Sequence, residues 1–226
     1  IDALRESHLT STLLYLGNHG NLLEDARANC RLVRLDTPLL TREEFDALAR
    51  IDEKGFKGAK IFASYLANEP HALADALNTL CEQAEEAVRQ GASILAISDR
   101  VPAGEVPMPT LLAVSAVHNH LLRCGLRTQA DLIVECGDAV SAHDFATLVG
   151  YSASGIYPYL AHDTIESLAD RGILEVDGKT GIANYNAAIL SGIVSIMSKM
   201  GISTMQGYHA AQIFEAVGLS EELIDI

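Results

Sequence analysis

Short apolar runs alternate with amphipathic stretches through the middle of the chain. Four of these runs predict strands, at residues 60–66, 93–98, 132–135 and 155–159. Each run is almost continuously apolar, which is typical of parallel strands covered on both faces. The stretches between them predict helices at residues 72–90, 110–123 and 142–149. Each strand with its following helix makes one βα unit of ~30 residues, and right-handed crossovers join successive units.

The two ends of the chain have a different pattern. Residues 1–59 predict a helix at 2–15, then an extended segment, then a helix that a capping box of Thr41 and Glu44 opens and that ends at residue 51. Residues 161–226 predict helices only, at 164–171, 182–200 and 206–217, with a last short helix after Ser220. We expect one α/β domain. Its parallel βα core at 60–160 forms a partial, TIM-barrel-like half barrel or an open sheet, between a lead-in at 1–59 and C-terminal helices at 161–226.

Charge and composition narrow the possible functions. The chain has 226 residues, and its 16 Lys and Arg against 30 Asp and Glu give a net charge of −14. Such a surface repels phosphate backbones and anionic lipids, so we expect neither nucleic acid nor a membrane surface as partner. The four cysteines include no CxxC pair. That spacing favours reduced thiols and a cytoplasmic protein.

Two further features concern the chain as a whole. The uncharged run at 181–198 includes Asn184, Asn186 and two serines. These side chains are costly in hydrocarbon, so the run predicts a buried helix rather than a membrane span. The chain begins at Ile1 without a methionine and stops at Ile226 inside a polar, helix-like run. We therefore expect it to be a piece of a longer polypeptide.

Candidate chemistry lies at the carboxyl ends of the predicted strands, where parallel α/β folds place their sites. Ser98, Asp99 and Arg100 follow the second strand. Arg100 is a candidate to hold a carboxylate or phosphate through two hydrogen bonds. The alternative is that Asp99 and Arg100 anchor the long loop that follows them. Glu135 and Asp138 are a candidate acid–base pair, or else acidic caps of a βα turn.

The remaining candidates are less specific. Tyr157 and Tyr159 flank Pro158, so one is expected inside and the other facing a cavity or partner. Lys199 is a candidate catalytic lysine, but it also complements the dipole at a helix end. His118 and His120 are two positions apart and point about 200° apart on a helix, so they cannot share a metal ion. Nothing in the spacing supplies zinc ligands from elsewhere, so structural histidines are expected.

A family resemblance rests on segments that occur in order along nearly the whole chain. The most telling is MSKMGIST at residues 197–204. The others lie at 15–23, 35–45, 91–95, 98–100, 111–118, 125–128, 158–161 and 211–219. In these segments the chain resembles the central domain of the large subunit of bacterial glutamate synthase. It departs from the family pattern at Asn119, at Tyr157 and at His209-Ala210.

The resemblance implies a place in a larger oxidoreductase. Its large subunit hydrolyses glutamine in an amidotransferase domain, and the ammonia travels internally to an FMN barrel that converts 2-oxoglutarate to glutamate. The central domain has barrel-like topology, joins the other domains and helps enclose the ammonia passage. The resemblance implies no catalytic, cofactor-binding or metal-binding residue in this segment. The expected partners are other domains of the same subunit, with a small electron-donor subunit or ferredoxin as a further possibility.

Two sequence features agree with that implication. The family's amidotransferase nucleophile is an amino-terminal cysteine, whereas this chain begins with Ile1. Its iron–sulfur ligands are closely spaced cysteines, whereas Cys30, Cys81, Cys124 and Cys136 are far apart. FMN and the iron–sulfur cluster are therefore expected elsewhere in the full-length enzyme. The alternative is a self-standing small βα enzyme, or a binding domain for an anionic small molecule, that uses Arg100, Glu135 and Asp138.

Overall fold

A computed structural model describes residues 5–21, 23–24, 27–53, 55–67 and 71–224. The strands are β1 (Leu14–Leu16), β2 (Val33–Leu35), β3 (Asp52–Glu53), β4 (Phe56–Phe62), β5 (Ser64–Tyr65), β6 (Ile94–Ser98), β7 (Val106–Pro107), β8 (Asp131–Glu135) and β9 (Ala153–Tyr157). The α-helices are α1 (Glu6–Leu9), α2 (Arg42–Ala49), α3 (Ala72–Arg89), α4 (Thr110–Arg123), α5 (Ala142–Gly150), α6 (Tyr159–Asp170), α7 (Gly178–Met200), α8 (Met205–Tyr208) and α9 (Glu221–Ile224). Two 3₁₀ turns lie at Arg27–Cys30 and Arg127–Gln129.

The central sheet has the strand order β3-β4-β6-β8-β9. The last four strands pair in parallel, and β3 adds an antiparallel edge to β4. Every residue of β6, β8 and β9 is buried, as the continuous apolar runs predict. The outer face packs against α3 and α5, with α4 between those helices. The prediction of an α/β fold with a partial, TIM-barrel-like arrangement of βα units is therefore confirmed.

Helix α2 covers the concave face of this half barrel. Phe45 of α2 is fully buried and its ring lies 5.7 Å from that of Tyr157. A Cβ on Gly58 would lie 2.5 Å from the carbonyl oxygens of Leu48 and Ala49. The glycine in β4 therefore lets the carboxyl end of α2 approach the strand backbone.

The start of α2 confirms the predicted capping box. The Thr41 hydroxyl accepts a hydrogen bond from the Glu44 amide at 3.3 Å, and the Glu44 carboxylate accepts from the Thr41 amide at 2.8 Å. Leu40, just before this cap, enters the space above Gly155, where a Cβ would lie 2.7 Å from the leucine side chain. The lead-in segment therefore completes the core of the half barrel.

Helices α6 and α7 form an antiparallel hairpin. Gly178 lies against Glu166, and the ring of His162 lies 2.9 Å from the Asn186 side-chain oxygen. Farther along α7, Gly192 packs against Ala142 at the start of α5. By length and composition α7 is the one helix of the described residues that is apolar enough to span a membrane, which is weak evidence by itself.

The prediction of a buried helix at 181–198 is wrong in its degree of burial. Only 22% of the apolar stretch of α7 is buried, with Ile189, Ile193, Met197 and Ser198 as its buried residues. The reason is that α1, α5 and α6 contact α7 and leave one side of it, with Asn184, Ala188 and Ser191, uncovered in this chain.

Two predicted helices at the ends of the chain are also wrong. Where a helix was expected to reach residue 15, α1 ends at Leu9 and β1 follows; residues 1–4 lie outside the described part. Backbone hydrogen bonds of Ser11 with Ser203 and Met205 hold this segment extended. The helix expected at 206–217 ends at Tyr208. Positive φ angles at Ala210 (56°) and Gln212 (54°) are incompatible with its continuation.

A buried polar network closes the amino ends of the strands. The carboxylate of Asp131, the first residue of β8, accepts hydrogen bonds from the Gly17 amide at 2.9 Å and from the His19 ring at 2.8 Å. Arg127 lies 3.4 Å from its other oxygen. Burial by itself would raise the pKa of Asp131, but these hydrogen bonds and the Arg127 charge outweigh it and lower the pKa. The network therefore ties the amino-terminal segment to the sheet.

Two histidines on this side remain neutral. The Arg127 guanidinium donates to the His118 Nδ1 at 3.1 Å, and the His209 ring donates to the Ser152 carbonyl at 2.9 Å. Burial, with the Arg127 charge as the second cause, lowers the pKa of each histidine to about 4. The expectation that His118 is a structural histidine agrees with its place in this network.

We expect Gly58→Ala to destabilise the fold by about 1–3 kcal/mol, since the new Cβ meets backbone rather than a flexible side chain. Urea unfolding of the purified chain measures the change. The control is Gly178→Ala, where the nearest atom would be the Glu166 Cγ at 3.3 Å, and its stability should be unchanged or slightly raised. Equal losses in both variants would contradict the close approach of α2 to β4.

The half-buried His118 and His209 should make stability depend on pH. Each takes up a proton near pH 6.5 when unfolded but only near pH 4 when folded, so stability falls as the pH is lowered through that window. Between pH 7.5 and pH 5 the expected loss is about 2 kcal/mol per histidine. Urea unfolding at both pH values measures it, and His209→Gln should reduce the loss by about 2 kcal/mol. His143→Gln, at an exposed histidine, should leave the full loss in place; a parent-like loss in His209→Gln would refute this account.

Candidate functional site at the carboxyl ends of the strands

The segments that follow β4, β6, β8 and β9 meet at one end of the half barrel, which we call the carboxyl-end face. Parallel register aligns Phe62 with Ser98, Ser98 with Glu135, and Glu135 with Tyr157. Since these positions occupy one level of the sheet, their side chains lie on the same, concave side. The strand pairing therefore brings together residues that are far apart in the sequence.

Glu135 is the centre of a charged cluster on this face. Its side chain is 4% exposed, and its Oε2 accepts hydrogen bonds from the Lys60 ammonium and the Ser98 hydroxyl, both at 2.6 Å. The Arg100 guanidinium lies 3.7 Å from the other oxygen. Lys60 also lies 5.4 Å from the ring centroid of Phe45, so α2 contributes to its surroundings. The buried carboxylate is thus compensated by two cations and a hydroxyl.

Arg100 is held from three sides. Its Nη2 donates to the Asp163 carboxylate of α6 at 2.7 Å, and its guanidinium stacks on the Tyr159 ring at 4.4 Å. Arg42, at the start of α2, bonds the other oxygen of Asp163. Arg100 therefore already has two carboxylate partners within the protein, although its side chain is 40% exposed.

Asp99 anchors the loop after β6. Its Oδ2 accepts hydrogen bonds from the Gly137 amide at 2.7 Å and from the Thr110 hydroxyl at 3.3 Å. The Tyr159 hydroxyl also bonds this carboxylate, and burial, followed by the Asp99 charge, raises the pKa of Tyr159 to about 12. Burial raises the pKa of Asp99 as well. Its second oxygen is buried without a partner among the described residues.

A cleft of about 610 Å³ lies beside the cluster, between the first turn of α2 and the α6–α7 hairpin. Arg42, Tyr157 and His162 line it, together with Ile182 and Asn186. The Tyr157 hydroxyl is buried and has no hydrogen-bond partner in the described part of the chain. Burial raises the pKa of Tyr157 and lowers that of His162, so both groups are uncharged near neutral pH.

Comparison with known families identifies the family of this chain. The sequence profile of the family described as "Glutamate synthase central domain" matches residues 1–220. The chain belongs to this family. The match covers the lead-in, the βα core and nearly all of the C-terminal helices, so it includes every element that forms the carboxyl-end face.

Individual relatives are much longer than this central domain. The glutamate synthase [NADPH] large chain of Bacillus subtilis is 45% identical over 226 residues, which are the whole of this chain and 15% of the relative. The glutamate synthase [NADH] of Schizosaccharomyces pombe is 40% identical over 231 residues and 11% of its length. The ferredoxin-dependent glutamate synthase 2 of Synechocystis is also 40% identical, over 15% of its length. The chain thus spans about one seventh or less of these relatives.

Solved structures resemble the central domain only distantly. The flavin-binding domain of baker's yeast flavocytochrome b2 has 14% identity and a TM-score of 0.44, over 64% of this chain and 36% of that one. A likeness of this extent indicates no function.

The structure brings most of the predicted residues together, with two differences. Ser98, Arg100 and Glu135 share the charged cluster, and Asp99, Tyr157 and Tyr159 border it. Asp138 does not form a pair with Glu135, because its carboxylate accepts the Thr110 amide at 3.2 Å at the start of α4. Lys199 is exposed near the end of α7, and no described contact joins it to the cluster.

Three residues of the cluster were missed. Lys60 is the one charged residue of the apolar run 60–66, and a charge in a strand that is covered on both faces indicates a partner of opposite charge. Arg42 and Asp163 gave no comparable indication. They are 121 residues apart, and neither lies at the end of a predicted strand.

Breaking the cluster should cost stability. Glu135→Gln removes the charge that compensates Lys60 and Arg100, so we expect a loss of about 2–4 kcal/mol. Urea unfolding of the chain measures it. The control is Asp36→Asn, which breaks the exposed Arg34–Asp36 pair and should change stability by less than about 0.5 kcal/mol. An effect of Glu135→Gln as small as that of the control would contradict the central place of Glu135.

Proposed function

We propose that this chain is the linking domain of a glutamate synthase. It joins a glutamine amidotransferase domain to an FMN-containing synthase domain and helps enclose the passage that carries ammonia between them. The observation that carries the proposal is the family match over residues 1–220 in a chain that spans only 11–15% of its relatives. The complete enzyme forms glutamate from glutamine and 2-oxoglutarate in the cytoplasm. FMN, the iron–sulfur cluster and the contact with a small subunit or ferredoxin belong to its other parts.

The carboxyl-end face supports a role without catalytic residues. Lys60 and Arg100 both bind Glu135, and Asp163 engages Arg42 and Arg100. Phe45 fills the concave side of the sheet below them. These contacts disfavour the alternative of a self-standing enzyme or anion-binding domain, because the cations it would use are already paired with carboxylates.

Exposed apolar side chains support contact with neighbouring domains. Several lie in the segments that follow the strands: Phe62, Leu66, Val106, Val140 and Leu160. The uncovered side of α7 adds the small exposed side chains of Ala183, Ala187 and Ala188. A set of exposed apolar residues at one end of a domain is typical of an interaction surface. We therefore place the contact with the amidotransferase or synthase domain at the carboxyl-end face.

The cleft beside Tyr157 has chemistry that suits an ammonia passage. Ammonia must be kept from bulk water and from groups that would protonate it. The Tyr157 hydroxyl is neutral and unpartnered, His162 is neutral because burial lowers its pKa, and Asn186 adds an amide. Such groups offer hydrogen bonds to ammonia without converting it to ammonium. The charged side chains of Glu43, Glu166 and Lys179 also line the cleft, and they are exposed to solvent. The cleft is the part of this domain that we assign to the passage wall.

The test uses the longer protein that contains this chain. Leu160→Glu introduces a charge at a side chain that is 53% exposed on the carboxyl-end face. We expect the rate of glutamine-dependent glutamate formation to fall at least about threefold. The reason is that a loosened contact between this face and the neighbouring domain lets ammonia escape to solvent. Two activities should persist: the hydrolysis of glutamine, and the formation of glutamate from added ammonium. The ratio of the glutamine-dependent to the ammonia-dependent rate measures the coupling.

The control is Leu122→Glu. Leu122 is 51% exposed, but it lies at the end of α4, near the amino ends of the strands. Its variant should keep the parent ratio. An unchanged ratio in Leu160→Glu, or an equal fall in both variants, would contradict the assignment of the passage to the carboxyl-end face.

A further inference from the structure

Three potential metal ligands meet between α3 and α4, on the outer side of the sheet and away from the carboxyl-end face. His120 lies in the last turn of α4, and Cys124, four positions later, caps the carboxyl end of that helix, so both side chains lie on one side of it. Glu85 of α3 faces them. In the sequence His118 and His120 are the conspicuous pair, but their side chains diverge on the helix. Only the packing of α3 on α4 supplies the third group.

The three ligand atoms form a small triangle. The His120 Nε2 lies 2.7 Å from the Glu85 Oε2, the Cys124 Sγ lies 3.3 Å from the same oxygen, and the sulfur and nitrogen are 3.6 Å apart. Tetrahedral zinc, with bonds of about 2.0–2.3 Å to nitrogen, oxygen and sulfur, separates its ligand atoms by about 3.3–3.6 Å. Two of the three edges already have this length. The third must widen by about 0.6 Å, which a small rotation of the Glu85 side chain provides.

The surroundings of Glu85 leave one oxygen available to an ion. Arg89, one turn later on α3, binds the Oε1 at 2.7 Å. The Oε2 points to His120 and Cys124 instead. An outer partner that fixes a ligating carboxylate in this way is common around metal sites. The side chains of Glu85 and His120 are 25% and 22% exposed, so an ion and a water molecule can reach the triangle from solvent.

We propose that Glu85, His120 and Cys124 bind a divalent ion of the zinc class, with water as the fourth ligand. The ligand types are those that Zn²⁺ prefers, namely thiolate, imidazole and carboxylate. On binding, the ion takes the place of the Cys124 thiol proton, which passes to solvent, and of the hydrogen bond between His120 and Glu85. The thiolate and the carboxylate neutralise its two positive charges. The bound ion joins α3 to α4 on the outer wall of the half barrel.

The experiment titrates Co²⁺, the spectroscopic substitute for Zn²⁺, into the purified 226-residue chain under reducing conditions, after a cooperative thermal transition has established folding. We expect one Co²⁺ per chain, a thiolate-to-cobalt charge-transfer absorption, and displacement by Zn²⁺. Cys124→Ser should abolish the charge-transfer absorption. His120→Gln should weaken Co²⁺ binding by at least about tenfold, since loss even of an outer partner costs about 10–100-fold.

The control is Cys30→Ser, because Cys30 is an exposed thiol elsewhere in the chain. Its variant should bind Co²⁺ as the parent does. Should Cys124→Ser lose its thermal transition, His120→Gln and Glu85→Gln test the same ligand set. The proposal is overturned if the folded parent binds no Co²⁺, or if folded Cys124→Ser or His120→Gln binds it with parent affinity and absorption.

Discussion

A half barrel leaves the concave face of its sheet without the strands that would otherwise face it, and that apolar surface must be covered. Here α2 provides the cover, and the sheet is shaped to receive it. Gly58 accepts the carboxyl end of the helix, Gly155 accepts Leu40 just before it, and Phe45 lies between the two. The lead-in is therefore part of the core. A sheet of four parallel strands becomes stable without closing into a barrel because one short helix replaces the missing half.

That cover also decides what the carboxyl-end face can do. In a complete barrel the strand ends surround an open mouth, where ligands bind. In this domain α2 fills the space inside the sheet. At the strand ends above it, Arg100 forms ion pairs with Glu135 and Asp163. The space that remains lies to one side, between α2 and the α6–α7 hairpin. Its buried lining is formed by the neutral side chains of Tyr157 and His162, and charged side chains, Arg42 among them, also border it.

A feature of the fold or of the site could be predicted from the sequence when the residues that determine it lie close together along the chain. The bounds of α4 were predicted to the residue, and the capping box of α2 was predicted correctly, because both follow from neighbours within a few positions. The gathering of Ser98, Arg100 and Glu135 followed from one topological rule. The Arg42–Asp163 bond joins segments 121 residues apart, and no local pattern announces it. The helix expected at 2–15 failed because Ser11 bonds to Ser203 and Met205 as extended chain. The helix expected at 206–217 failed because the backbone takes positive φ angles at Ala210 and Gln212.

The two candidate sites show how the same difficulty affects chemistry. A pair of histidines in the sequence drew attention to His118, which the fold uses to bind Arg127 at the amino ends of the strands. The informative spacing was the four positions from His120 to Cys124, about one helical turn, and it had meaning only once Glu85 faced it from another helix. The charged cluster required the register of three strands in the same way. In a domain whose strands are short and whose helices pack side by side, ligand sets arise between elements. A pattern within a single segment therefore shows only one member of each set and does not reveal its partners.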